Sequence, residues 1–176
     1  MITVGSTVPE QVLLAYRRGE PDFVPCTLAN HDRWIVLFFY PRDFTFVCPT
    51  ELAAFAELED AFAAEDAALV AASTDSAWSH KAWFETHAML GGVDYPILAD
   101  TTQELSETFG VLTADGSALR GTFVIDPNGV VRHASITDQN VGRSPEETLR
   151  VLQALRTGEL CPVRWQPGEA TLKLAA

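Results

Sequence analysis

Trp34-Ile35-Val36-Leu37-Phe38-Phe39-Tyr40-Pro41-Arg42-Asp43-Phe44-Thr45-Phe46-Val47-Cys48-Pro49-Thr50-Glu51-Leu52 is the stretch that decides the fold. Its first seven residues form a continuous apolar run with no polar alternation. Such a run reads as a strand covered on both faces. Pro41 has no N–H to offer a ladder and ends the strand. Past the loop, Leu52, Phe55, Leu58 and Phe62 recur at helical spacing, which predicts a helix.

Outward from this stretch the elements alternate. Residues 68–73 read as a second buried strand, and residues 76–89 as a helix with Trp83 and Phe84 facing inward, stopped by Gly91-Gly92. Ile97-Leu98 is a short extended piece, and residues 103–109 a short helix. Residues 122–126 and 130–136 flank Pro127-Asn128-Gly129, a hairpin signal. Ser144-Pro145-Glu146-Glu147 joins an N-cap, a Pro at the first helical position and a Glu three after the cap. That helix runs to about residue 157, and Gly158 ends it. Residues 159–176 carry Pro162 and Pro167, show no periodicity and read as an extended arm. The sum is an α/β chain with a central mixed sheet.

The chain has 176 residues, enough for one ordinary domain. It is 47% hydrophobic and 20% charged, so it can bury a core. Lys+Arg 12 against Asp+Glu 24 leaves a net charge of −12, which speaks against nucleic acid and anionic lipid as partners. No apolar run reaches membrane-spanning length, and residues 1–10 lack a secretory signal. Three scattered cysteines, Cys26, Cys48 and Cys161, do not make a disulfide scaffold and suit a reducing cytoplasm. His31, His80, His87 and His133 follow no metal-ligand spacing, and no phosphate loop or dinucleotide fingerprint appears. No cofactor and no metal are therefore expected.

Cys48 falls in the first turn of the predicted helix, where unpaired N–H groups and the positive dipole end favour a thiolate. Bringing a thiol from about 8.5 to about 6 needs about 3.4 kcal/mol. A helix end supplies up to ~2 kcal/mol. A cation must come from elsewhere in the chain, and Arg42, Arg120 and Arg143 are the candidates. A cysteine here can also simply fill space. Thr45, with a hydroxyl that can bond a substrate oxygen, and the stiffening Pro41 and Pro49 favour chemistry over packing.

Residues 38–51, Phe-Phe-Tyr-Pro-Arg-Asp-Phe-Thr-Phe-Val-Cys-Pro-Thr-Glu, resemble the active-site segment of typical two-cysteine peroxiredoxins. Four further segments agree in order. They are Ser73-Thr74-Asp75-Ser76 with His80 and Trp83; Leu119-Arg120-Gly121-Thr122-Phe123-Val124-Ile125-Asp126; Asn140-Val141-Gly142-Arg143-Ser144; and Leu160-Cys161-Pro162-Val163-Arg164-Trp165-Gln166-Pro167-Gly168. The tail from Gly168 is most similar to that of the bacterial alkyl hydroperoxide reductase C proteins. The likeness covers nearly everything after about residue 30.

The resemblance implies a thioredoxin-like fold, with residues 1–157 as the peroxidase domain and 158–176 as an arm. It implies that Cys48 is the peroxidatic cysteine, attacking a hydroperoxide and becoming a sulfenic acid. Thr45 and Arg120 match donors to the peroxide and the thiolate, and Pro41 shields the pocket. Glu51 and Arg143 match a pair that holds Arg120. Cys161 matches the resolving cysteine, which closes a disulfide with Cys48 of the other subunit in a homodimer. Such dimers are often grouped as a ring of five, and a thioredoxin or flavoprotein disulfide reductase then restores the thiols. Cys26 matches no family cysteine and reads as structural. Disulfide Cα atoms must approach within about 7 Å, so the first turn around Cys48 is expected to unwind in the cycle. Easily over-oxidised relatives carry a longer glycine-rich insert and a Tyr-Phe pair near the C-terminus. Neither matches here, so resistance to sulfinic inactivation is expected. Two other readings stand beside the peroxidase. One is a general thiol–disulfide oxidoreductase, weakened because Glu51 stands where a Cys-x-x-Cys motif needs its second cysteine. The other is a redox sensor or chaperone-like assembly that uses Cys48 as a switch.

Overall fold

The structure, a computed structural model, describes residues 1–29 and 32–173. His31 and the end of the predicted arm lie outside the described residues. The strands are β1 (Val12–Tyr16), β2 (Val24–Thr27), β3 (Trp34–Phe39), β4 (Ala67–Ser73), β5 (Ile97–Ala99), β6 (Arg120–Ile125) and β7 (Val131–Thr137). The helices are α1 (Cys48–Glu57), α2 (Glu59–Ala64), α3 (Ala77–Thr86), α4 (Glu104–Thr108) and α5 (Pro145–Thr157). The described strands form one sheet in the order β2-β1-β5-β4-β3-β6-β7. β3, β4 and β5 run parallel, and the pairings of β1 with β2 and β5, of β3 with β6 and of β6 with β7 are antiparallel. The sheet is thus mixed, as expected.

The central strand explains its own composition. Successive side chains point to opposite faces. Val36, Phe38 and Tyr40 enter one core with Cys48, Leu52, Phe55, Trp83 and Leu152. Ile35, Leu37 and Phe39 enter a second core with Leu105, Phe109 and Phe123 on the other face. Both faces are covered, so alternation is absent from the sequence.

Several local readings need correction. The helix after Cys48 is interrupted at Leu58 (φ −104°, ψ 6°), and α2 starts afresh at Glu59. The break still leaves Phe62 in the same core, with its ring 6.2 Å from that of Phe55. The helix α3 stops at Thr86, ahead of the two glycines, and a 3-10 turn covers Ala88–Leu90. Thr86 Oγ1 donates to the Ala82 carbonyl at 2.6 Å, a local bond that competes with helix continuation. Ser144 caps α5 by accepting from Glu147 N–H at 3.2 Å. The Glu147 carboxylate, however, holds Arg150 and is not engaged in a reciprocal capping box. The arm is not extended. Leu160 and Leu172 form a bridge, Trp165 is buried, and Arg150 Nη1 donates to the Trp165 carbonyl at 3.1 Å. The hairpin β1–β2 was not legible, because exposed Val12 and Leu14 are as apolar as buried Leu13 and Ala15. Gly19 at φ +82° was the usable turn signal. No described helix is long and apolar enough to cross a membrane.

Candidate active site

β3 delivers the chain to the loop at residues 41–47, and α1 opens at Cys48, whose residue is 1% exposed. Val47 occupies the N-cap position and makes no side-chain cap bond. The antiparallel register Phe38↔Thr122 brings the start of β6 beside the end of β3. Arg120, the first residue of β6, therefore reaches the helix opening. Its Nη1 lies 3.6 Å from Cys48 Sγ and also bonds Glu51 Oε2. Its Nε donates to the Gln139 carbonyl at 2.8 Å. Of the three candidate cations, Arg120 is the one that reaches the sulfur.

Glu51 stands one helical turn beyond Cys48, on the same side of α1. Its Oε1 accepts from both the backbone N–H and Nε of Arg143, each at 2.8 Å. Arg143 Nη1 continues to the Gly121 carbonyl at 2.9 Å, and its guanidinium lies over the Phe38 ring at 5.4 Å. Glu51, Arg120 and Arg143 are all almost fully buried as side chains. Two guanidiniums face one carboxylate here, which leaves one positive charge beside the sulfur.

The loop is fastened separately. Tyr40 OH donates to Asp43 Oδ1 at 2.7 Å, and His80 Nδ1 meets Asp43 Oδ2 at 2.9 Å. His80 Nε2 lies 3.2 Å from the Leu98 carbonyl, which only accepts, so Nε2 carries a hydrogen. Asp43 N–H donates to Asp75 Oδ2 at 2.9 Å. Burial, and then the Asp43 carboxylate, push the Tyr40 phenol well above its usual range, so it stays a donor. Sequence reading missed Gln139, and gave Tyr40, Asp43 and His80 only places in motifs. The spacing Tyr40-x-x-Asp43 was visible, but the partner histidine comes from α3, a separate element.

The remaining candidates sit as follows. Pro41 is buried at the strand end. Thr45 Oγ1 donates to the Arg42 carbonyl at 2.9 Å, so its hydrogen is engaged. Arg42 turns to the Asp115 carbonyl. Cys161 is half-buried on the arm, its Sγ 3.7 Å from the Ala154 carbonyl and 3.5 Å from Thr157 Oγ1 at the end of α5. Cys26 lies on β2 against the second core, where burial pushes its thiol up and Arg17 opposes this. All three cysteines are free. The structure thus brings Cys48, Arg120, Glu51 and Arg143 together and holds Cys161 elsewhere.

Comparison with known proteins gives the chain a family and its fold. The model of the AhpC/TSA family matches residues 5–134. The chain is 49% identical to a putative peroxiredoxin, YkuU, of Bacillus subtilis, over 81% of this chain and 82% of that protein. It is 42% identical to alkyl hydroperoxide reductase C of Mycobacterium tuberculosis, over 98% and 94% of the two chains. The reduced 2-Cys peroxiredoxin of Plasmodium vivax superposes with a TM-score of 0.91 at 33% identity, covering 97% of this chain and 92% of that one. These likenesses give the sheet its class, a thioredoxin-like fold.

Proposed function

The chain belongs to the AhpC/TSA family and is a thiol-dependent peroxidase of the peroxiredoxin type, and we propose that Cys48 is its peroxidatic cysteine. The observation that carries this reading is Arg120 Nη1 at 3.6 Å from Cys48 Sγ, at the uncapped opening of α1. The Cys48 thiolate attacks the terminal oxygen of a hydroperoxide. The O–O bond breaks, sulfur loses two electrons, and the departing oxygen leaves as hydroxide or alkoxide and takes up a proton. Charge moves from sulfur to oxygen, so Arg120 and the positive dipole end of α1 stabilise the transition state more than the ground state. Thr45 turns its hydroxyl from the Arg42 carbonyl toward the peroxide, and Pro41 keeps water from the sulfur. Glu51 and Arg143 hold Arg120 in place.

The sulfenic acid is resolved by Cys161. Its thiol attacks the Cys48 sulfur, water leaves, and a disulfide forms. A second copy of the chain supplies this cysteine, a reading supported by the open edge of β7 with Ile136 half exposed. A dithiol protein, thioredoxin or a flavoprotein disulfide reductase, regenerates the thiols. Hydrogen peroxide and organic hydroperoxides are the substrates, residues 1–157 carry the peroxidase domain, and the protein works in the cytoplasm as a homodimer or a ring of five dimers.

The test is continuous peroxide consumption with a thioredoxin system. Wild type is expected to turn over, and Cys48→Ser to lose at least three orders of magnitude, roughly the loss on removing a catalytic nucleophile. Stoichiometric oxidation without turnover in the wild type would assign the protein to redox sensing instead.

A further inference from the structure

Tyr95 is 2% exposed and stands apart from the residues assigned above. Its hydroxyl donates to the Leu52 carbonyl, in the second turn of α1, at 2.7 Å. We propose that this hydroxyl is a positioning group that sets how far α1 unwinds from its Cys48 end. The inference deepens the proposed function, since it rests on Cys48 leaving its buried place to meet Cys161.

The two halves of α1 are held unequally. At its start there is no side-chain cap, whereas Ser76 and Ser144 cap α3 and α5. Thr50 N–H and Glu51 N–H both turn to the Val47 carbonyl, at 3.1 and 3.3 Å, and Pro49 has no N–H to add. A helix start without a cap frays more readily. From Leu52 onward the helix is pinned. Leu52 and Phe55 are fully buried, and Phe55 stacks on Phe38 with centroids 4.0 Å apart. The Tyr95 ring meets the same Phe38 edge-on at 5.6 Å.

Tyr95 is itself anchored from the sheet side. Arg17 Nε donates to the Asp94 carbonyl at 3.0 Å, and Ala71 N–H donates to the Pro96 carbonyl at 3.0 Å. The hydroxyl therefore ties the helix backbone to a rigid neighbour at one point. Fraying that starts at Cys48 passes Thr50, has to release the Glu51 carboxylate from Arg120 and Arg143, and then meets this tie at Leu52. The exposed sulfenic acid needs the first turn open, and the rapid return of the site needs the second turn intact. A tie at Leu52 satisfies both.

Tyr95→Phe keeps the ring and removes the hydrogen bond. Site-resolved hydrogen exchange on the reduced protein reads the helix directly. The amide of Ala56, which by helix geometry shares the Leu52 carbonyl, should exchange about five-fold faster, with α3 and α5 unchanged. A greater open fraction also favours capture by Cys161 over a second peroxide. The peroxide concentration that leaves half of Cys48 as sulfinic acid, read by mass spectrometry during turnover, should rise about five-fold. Unchanged exchange in α1 overturns the inference. So does an equal rise across α1, α3 and α5, which marks general loosening, and so does a half-sulfinic concentration within about two-fold of wild type. If the wild type forms no Cys48–Cys161 disulfide, the proposed function fails, and the exchange result alone judges Tyr95.

Discussion

Glu51 is the residue on which two buried guanidiniums depend. Its Oε2 accepts from Arg120 and from Arg143 Nη2, and its Oε1 from the backbone N–H and Nε of Arg143. Removing one partner of a buried ion pair costs about 3–5 kcal/mol, because the charge left behind stays desolvated. Glu51→Gln retains an acceptor but loses the charge. We expect it to lower stability by about 3 kcal/mol in urea titrations. Arg120 would then be held by the Gln139 carbonyl and at most one neutral amide oxygen, which Arg143 also contests. Misplacing a reacting group by about 1 Å can cost roughly a hundred-fold. Stopped-flow peroxide reduction by Glu51→Gln should fall by about ten- to a hundred-fold on that ground. An unchanged rate would mean that Gln139 suffices to aim Arg120.

At the scale of elements, the β6–β7 hairpin shows what holds a turn that the site relies on, since β6 carries Arg120. Asp126 caps that turn. Burial pushes its carboxyl up, but the Val130 N–H, the Arg132 guanidinium and the Asn128 N–H outweigh this and leave it below the usual range. A depressed folded-state carboxyl contributes stability that is present above the ordinary value of about 3.9 and is lost as pH falls through the lower folded value. The melting temperature of Asp126→Asn should therefore lie below wild type at about pH 6, with the gap closing toward about pH 2. A gap that is constant with pH would assign the effect to geometry and not to charge.

At the scale of the whole molecule, the two cysteines proposed to react occupy opposite kinds of helix end. Cys48 opens α1, and Cys161 rests against the closing turn of α5 on a folded-back arm. Forming their disulfide requires motion at both ends. In peroxide without reductant, wild type should run on a non-reducing gel at twice the monomer mass. Cys48→Ser and Cys161→Ser should each abolish that band, and Cys26→Ala should leave it. A disulfide at monomer mass would place resolution within one subunit.

Much of this was legible in the chain itself. The unbroken run Trp34–Phe39 could only be a strand covered on both faces, because no polar residue was left to meet water. Ser144 and Gly158 marked both ends of α5, since caps and left-handed residues are local chemistry. Cys48 at a helix opening was legible from the helical spacing of Leu52 and Phe55 that follows it. The break at Leu58, the hairpin β1–β2 and the closed arm were not, because each depends on what packs against it from far along the chain. The choice of Arg120 over Arg42, the Asp43–His80 fastening and the reach of Tyr95 to Leu52 belong to the tertiary structure alone. Side chains that meet across the sheet are set by strand register and helix placement, and neither is encoded in the spacing of the residues that come together.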